Sequence, residues 1–204
     1  MMHTAEIRPM SGKGLSPKEI FSRLQAACGA DAVLGFFDPK EFPEFKRGGD
    51  AFILVAPEGI VQVCRHLREN SELYFDSLMS LGAMDEGAED KRPAAEEYAK
   101  LPADFFAPSY TVAYFLHSLK HRHKVHLHVK LPKEKPQVKS VQGIWSGANW
   151  FERECYDLFG IEFLGHPDLR RLLLPDDWKG YPLRKDYEFP LEYNGIECLR
   201  SKLK

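Results

Sequence analysis

No apolar run in this sequence approaches the roughly 20 residues that a membrane-spanning helix needs, so no transmembrane segment is expected. Residues 1–14 contain no apolar block of the kind that marks a secretion signal, and they read as a flexible leader. Cysteine is sparse. Cys28, Cys64, Cys155 and Cys198 lie far apart with no CxxC spacing, so reduced thiols are expected rather than a disulfide framework or an iron–sulfur ligand set. Positive charge is not in excess either. Twenty-eight Lys and Arg face 30 Asp and Glu, a formal net charge of −2, and the basic field on which nucleic-acid affinity depends is missing. The glycines form no P-loop, no GxGxxG fingerprint and no nucleophile elbow; Gly12-Lys13-Gly14 lacks the phosphate-loop pattern. What is present, 204 residues at 44% hydrophobic and 28% charged, is a globular composition long enough to bury a sizeable core.

The pattern of elements is legible. Ser16-Pro17-Lys18-Glu19 combines an N-cap, a proline at the first helical position and a capping-box glutamate. Ile20, Phe21, Leu24 and Ala27/Cys28 then form an apolar helix face ending at Gly29. Strands are predicted over 32–37 and 51–55, a helix from Pro57 to about Arg68, and a third strand within 73–84. Residues 85–100 read as an exposed acidic insertion. Ser109–Ser118 and Val125–Leu131 alternate as strands, joined by a hairpin turn at 120–124. On the second of these, Val125, Leu127, Val129 and Leu131 face inward while His126, His128 and Lys130 face out. The order α-β-β-α-β-β-β predicts an α+β two-layer domain: a mixed sheet of about five strands with helices on one face, followed by an irregular C-terminal extension. The division is leader 1–14, domain 15–145 and extension 146–204.

Two clusters invite a chemical reading. His117, His121, His123, His126 and His128 fall within twelve positions, and His126 and His128 share a strand face on which a metal could be chelated. Lysines and an arginine surround them and no acidic ligand lies among them, so a polar hairpin face is the plainer expectation. Glu152, Asp157 and His166 could be assembled into acid–base chemistry, but such triplets are common in a charged segment.

The densest stretch is Gly147–Tyr187, GANWFERECYDLFGIEFLGHPDLRRLLLPDDWKGYPLRKDY. Rings and charges of both signs alternate throughout it. A solvated loop has little use for so many rings, and a core little room for so many unpaired charges. A surface covered by another protein uses both. Asn149 is the expected N-cap with Glu152 completing a capping box, and Gly160 the left-handed terminator. Phe151, Cys155, Leu158 and Phe159 form the inward face, with Glu152, Arg153 and Tyr156 elsewhere. Arg153–Asp157 and Arg184–Asp186 are expected as local pairs, and Arg170, Arg171, Arg184 and Lys185 as docking charges. Residues after Tyr181 are expected to extend away from the domain onto a partner.

This stretch closely resembles the signature of the 30 kDa subunit of respiratory complex I (NADH:quinone oxidoreductase); the rest of the chain fits in order and length with weaker motifs. Phe151 stands where the family often has tyrosine. The resemblance implies a cofactor-free structural and assembly subunit without an active site of its own. It would sit in the peripheral arm on the cytoplasmic side of the inner membrane. Its implied neighbours are the quinone-site subunit, which resembles the hydrogenase large subunit, and the terminal-cluster subunit. NADH, FMN, the iron–sulfur clusters and quinone would belong to partner subunits of a proton-translocating complex. The motif positions carried over as partner interface are Trp150, Glu152, Arg153, Tyr156, Asp157, His166, Arg170, Arg171, Arg184, Lys185 and Asp186. The same scaffold serves membrane-bound hydrogenase and formate-hydrogenlyase-type complexes, a second reading. A free-standing metal enzyme using the histidine hairpin is a third.

Overall fold

A computed structural model describes residues 14–41, 50–86 and 108–197. The leader's residues 1–13, the loop residues 42–49, nearly all of the acidic insertion and Cys198 lie outside these.

Helix α1 (Pro17–Cys28) starts as its residues dictate: the Ser16 hydroxyl accepts the Glu19 N–H and the Glu19 carboxylate accepts the Ser16 N–H. It buries Ile20 and Leu24. Strands β1 (Val33–Phe37) and β2 (Phe52–Val55) pair antiparallel. A 3-10 turn at Pro57–Gly59 leads into α2 (Ile60–Glu69), which buries Ile60, Val63, Cys64 and Leu67. Strand β3 occupies Ser77–Asp85, in the expected window but for its last residue, and Asn70 caps the turn before it by accepting the Glu72 and Leu73 N–H groups. Strands β4 (Ser109–Ser118) and β5 (His123–Pro132) form the expected antiparallel hairpin, with Arg122 left-handed in the turn at φ 53°.

These five strands make one mixed sheet in the order β1-β2-β5-β4-β3, with β2 and β5 parallel. Helices α1 and α2 cover one face, and their buried side chains join Val33, Ile53, Val125, Leu127 and Tyr114 in a single core. The fold is α+β. The alternation on β5 holds: Val125, Leu127, Val129 and Leu131 are buried on the helix side. His126 and His128 sit on the opposite face but are packed rather than solvated. His128 stacks on Phe52 with centroids 4.0 Å apart, and His126 meets Phe115 edge-on. Burial, helped by His126 and Lys130, pushes the His128 imidazole down to about 4. Burial also lowers His126, against the pull of Asp50. Both rings serve as neutral aromatic packing.

The sequence pattern misses a second layer of organisation. Strand β6 (Gln137–Lys139) pairs in parallel with β7 (Glu162–Leu164), and helix α3 (Ala148–Phe159) runs between them in sequence. Ala148, Cys155 and Phe159 of α3 join the main core, and the Trp145 indole N–H anchors the approach to α3 by donating to the Phe75 carbonyl at 3.0 Å. A two-residue hairpin, β8 (Glu192–Tyr193) with β9 (Ile196–Glu197), ends the described chain. Among the described residues no helix is long and apolar enough to cross a membrane.

Candidate functional site

Helix α3 begins at Ala148 with Gly147 as its N-cap and no side-chain cap bond, so the expected Asn149 cap is corrected. A turn already closes before it, with Trp145 N–H on the Val141 carbonyl and Ala148 N–H on the Trp145 carbonyl, so the helix inherits its start. Glu152 is therefore free of a capping duty and turns inward, where it is completely buried. Its carboxyl accepts the Ser140 hydroxyl at 2.6 Å and the Val141 N–H at 2.8 Å. Burial drives its pKa up to about 7, against those two donors. His166 lies nearby, its Nε2 4.0 Å from the Glu152 carboxyl and its side chain fully shielded. The Asp168 N–H donates to Nδ1 at 3.0 Å, which places the proton of a neutral ring on Nε2, facing the Asn149 carbonyl at 3.2 Å.

One turn further along α3, Asp157 organises the following loop. Its Oδ2 accepts the N–H groups of Leu172, Leu173 and Leu174 at 3.0, 2.7 and 2.9 Å, and its Oδ1 accepts Arg171 Nη1 at 2.8 Å. Burial opposes ionisation, but the three amides and Arg171 together outweigh it and hold the carboxyl below its usual range. This replaces the expected Arg153–Asp157 pair, because a carboxylate satisfied by three N–H groups and one guanidinium has no need of a second. Arg153 instead donates to the Arg170 and Arg171 carbonyls while its guanidinium lies over Trp150.

The other arginines are committed in the same way. Arg171 Nη2 donates to the Trp178 and Gly180 carbonyls. Arg184 donates to the Phe159 carbonyl at 2.7 Å and stacks on Tyr181 and Tyr110; it forms no ion pair with Asp186. Two expected docking charges are thus spoken for by this chain's own carbonyls. Gly160 makes that closure possible. Its φ is 71°, as expected of the terminator, and a Cβ there would come within 2.5 Å of both the Arg184 guanidinium and the Tyr181 ring.

The tail differs from expectation. Residues 181–187 fold back on the domain: Leu183 N–H reaches the Leu158 carbonyl, and Lys185 N–H the Asp85 carboxylate at 2.9 Å. Asp85, at the end of β3, also holds Lys133. The hairpin β8–β9 then returns toward the preceding loop, Tyr193 donating to Asp177 and packing on Trp178.

The structure thus gathers the expected interface residues in one region but gives them different work. Glu152, Arg153 and Asp157 are buried; His166 and Arg171 are internal clamps; Tyr156 is half-buried against Tyr181. Trp150, Arg170, Lys185 and Asp186 stay exposed. Around them stand apolar side chains that the clamps leave in solvent: Trp150 is 61% exposed, Leu173 61%, Leu183 51% and Leu191 82%. Sequence reasoning passed over Ser140, whose bond to Glu152 has no local signal, and Tyr181, which roofs Gly160. Among the described residues no group of three or more His, Cys, Asp or Glu is placed to hold a metal. Cys28, Cys64 and Cys155 are free thiols.

Residues 53–193 match the family described as Respiratory-chain NADH dehydrogenase, 30 Kd subunit. The C subunit of NADH-quinone oxidoreductase from Roseiflexus sp. (strain RS-1) is 40% identical over 167 residues, 82% of this chain and 81% of that protein. The protein of the same name from Geotalea uraniireducens (strain Rf4) is 35% identical over 163 residues, 80% and 85% of the two chains. A solved chain of the membrane-bound sulfane sulfur reductase, an archaeal respiratory membrane complex, shares the fold, with a TM-score of 0.57 at 18% identity over 84% of this chain and 85% of that one. The chain belongs to the 30 kDa subunit family of respiratory-chain NADH dehydrogenase, which includes the C subunits of NADH-quinone oxidoreductase.

Proposed function

We propose that this chain is a structural, cofactor-free subunit of the peripheral arm of a proton-translocating NADH:quinone oxidoreductase, on the cytoplasmic side of the membrane. Its C-terminal third docks on two neighbours, the quinone-site subunit and the one that carries the terminal iron–sulfur cluster. NADH, FMN, clusters and quinone are handled by other subunits. The observation that carries this reading is a rigid frame with apolar tips. Buried Asp157 and Arg153, with half-buried Arg171 and Arg184, fix the backbone of residues 170–187 by hydrogen bonds, while Trp150, Leu173, Leu183, Phe189, Leu191 and Ile196 remain in solvent. Covered by a neighbour those side chains contribute roughly 25 cal/mol per Å² of apolar surface removed from water, with little ordering cost because the frame is already set. An exposed tryptophan under an arginine is also a common sort of interface anchor.

The test uses the full chain in its native complex. Leu183→Glu together with Leu191→Glu replaces two exposed side chains and removes none of the frame's hydrogen bonds. The double variant should fold normally and lose co-purification with the neighbouring subunits. Undiminished recovery would overturn the reading.

A further inference from the structure

The Glu152–His166 contact does more than fill space. Glu152 is fully buried with two donors, Ser140 and Val141, and among the described residues no lysine or arginine lies within ion-pair distance of it. The other titratable groups that feel its charge are Cys64 of α2, Tyr114 of β4 and Cys155 of α3. Each is a neutral acid whose thiol or hydroxyl is raised further by Glu152, so none can offset a negative charge there. On the other side, His166 faces Asp168, whose carboxylate is paired with Arg170 and lies in the field of Arg153. The His166 Nε2–H is a third donor, beside the Glu152 carboxyl but not bonded to it, and its present bond to the Asn149 carbonyl is long at 3.2 Å.

We propose that the His166 Nε2–H is a proton-linked switch: it donates to the Asn149 carbonyl while Glu152 is protonated and to the Glu152 carboxylate once that proton has left, and the turn at 165–170 moves with it. A charge-assisted bond is roughly twice as strong as a neutral one, so ionisation favours the new acceptor. Closing 4.0 Å to hydrogen-bond distance needs about 1 Å of ring movement. Gly165, at φ 82°, gives the turn a permissive hinge. The Asp168 N–H bond to Nδ1 obliges the backbone of the turn to follow the ring. The proton that moves the switch is the one on Glu152; a proton on the His166 Nδ1 would face the Asp168 N–H donor to donor.

The switch is a property of the lone chain. Its consequence, a pH-dependent presentation of Arg170 and Asp168 to a neighbour, rests on the docking reading. The experiment is a titration of the isotopically labelled full chain by NMR from about pH 5.5 to about pH 8.5. The His166 Nε2 resonance, the Asp168 amide and the Glu152 carboxyl carbon should shift together with a midpoint near 7. In Glu152→Gln, which keeps the shape and an acceptor for Val141, the His166 and Asp168 signals should stay flat. An imidazole that takes its own proton at Nδ1, or a response surviving in Glu152→Gln, overturns the switch. Should that variant not fold, a wild-type Glu152 carbon that titrates apart from His166 overturns it equally. Complex recovery at pH 6 and pH 8 is the separate arm: unchanged recovery beside an intact NMR switch counts against the docking consequence alone.

Discussion

Removing the charge of Asp157 is the sharpest perturbation available, because one carboxylate holds a whole loop. In Asp157→Asn the shape is kept, but an amide must place an NH2 group either against Arg171 Nη1 or against the N–H groups of Leu172–Leu174, all of which are donors. Breaking a buried charged pair by removing one partner costs about 3–5 kcal/mol. Arg171 keeps a strip of solvent and its bonds to the Trp178 and Gly180 carbonyls, which puts this case at the lower end, about 3 kcal/mol. Because α3 itself is rooted in the core through Cys155 and Phe159, the loss falls on the loop first. Amide hydrogen exchange reads it directly: protection at Leu172–Leu174 should drop by about two decades, since each 1.4 kcal/mol is tenfold. The core amides of Val112 and Leu127 should be unmoved. Unchanged protection at the three leucines, or an equal loss at Leu127, would refute the argument that Asp157 fixes this loop.

Other outcomes follow from the same geometry. Glu152 has a folded-state pKa near 7, above the ordinary 4.5, so its contribution is complete below pH 4.5 and is lost as pH rises through 7. Urea denaturation at stepped pH should show a decline of about 3 kcal/mol across that window, flattened in Glu152→Gln. Asp157 has the opposite sign: its depressed carboxyl stabilises at pH above the ordinary carboxylate range, and that stability is lost only in stronger acid. A single early loss of loop protection between pH 5 and 6 would contradict it. Gly160→Ala should lower thermal stability by more than about 2 kcal/mol, combining left-handed strain with a collision against Tyr181 and Arg184; a melting temperature within a degree of wild type would count against that. His128→Phe should be tolerated, because the ring packs neutral on Phe52.

The parts of the fold that could be read from the chain are those whose determinants are local. The Ser16–Glu19 capping box, the period of two on β4 and β5 and the glycine stop at Gly160 all depend on residues within a few positions of one another. What escaped is non-local. The β6–β7 pairing joins two three-residue strands across a helix, too short for any alternation to register. Glu152 sits at a position that fits a capping box on spacing alone, but its partner Ser140 lies twelve residues back and is reached only once the turn before α3 has closed. In the sequence Arg170, Arg171 and Arg184 look like charges seeking another chain, whereas a guanidinium with five donors is also the natural clamp for loop carbonyls. Rings and charges together marked the right region; which of them face outward was decided by packing that composition does not encode.

Hydrogen–deuterium exchange and oxidative footprinting of the full chain, alone and within the native complex, measure most directly whether this surface is a docking face. Trp150, Leu183, Phe189 and Leu191 should be readily labelled in the lone chain and strongly protected in the complex, while buried Tyr114 and Trp145 should not change. Equal labelling of those four side chains in both states would mean that no neighbour covers them.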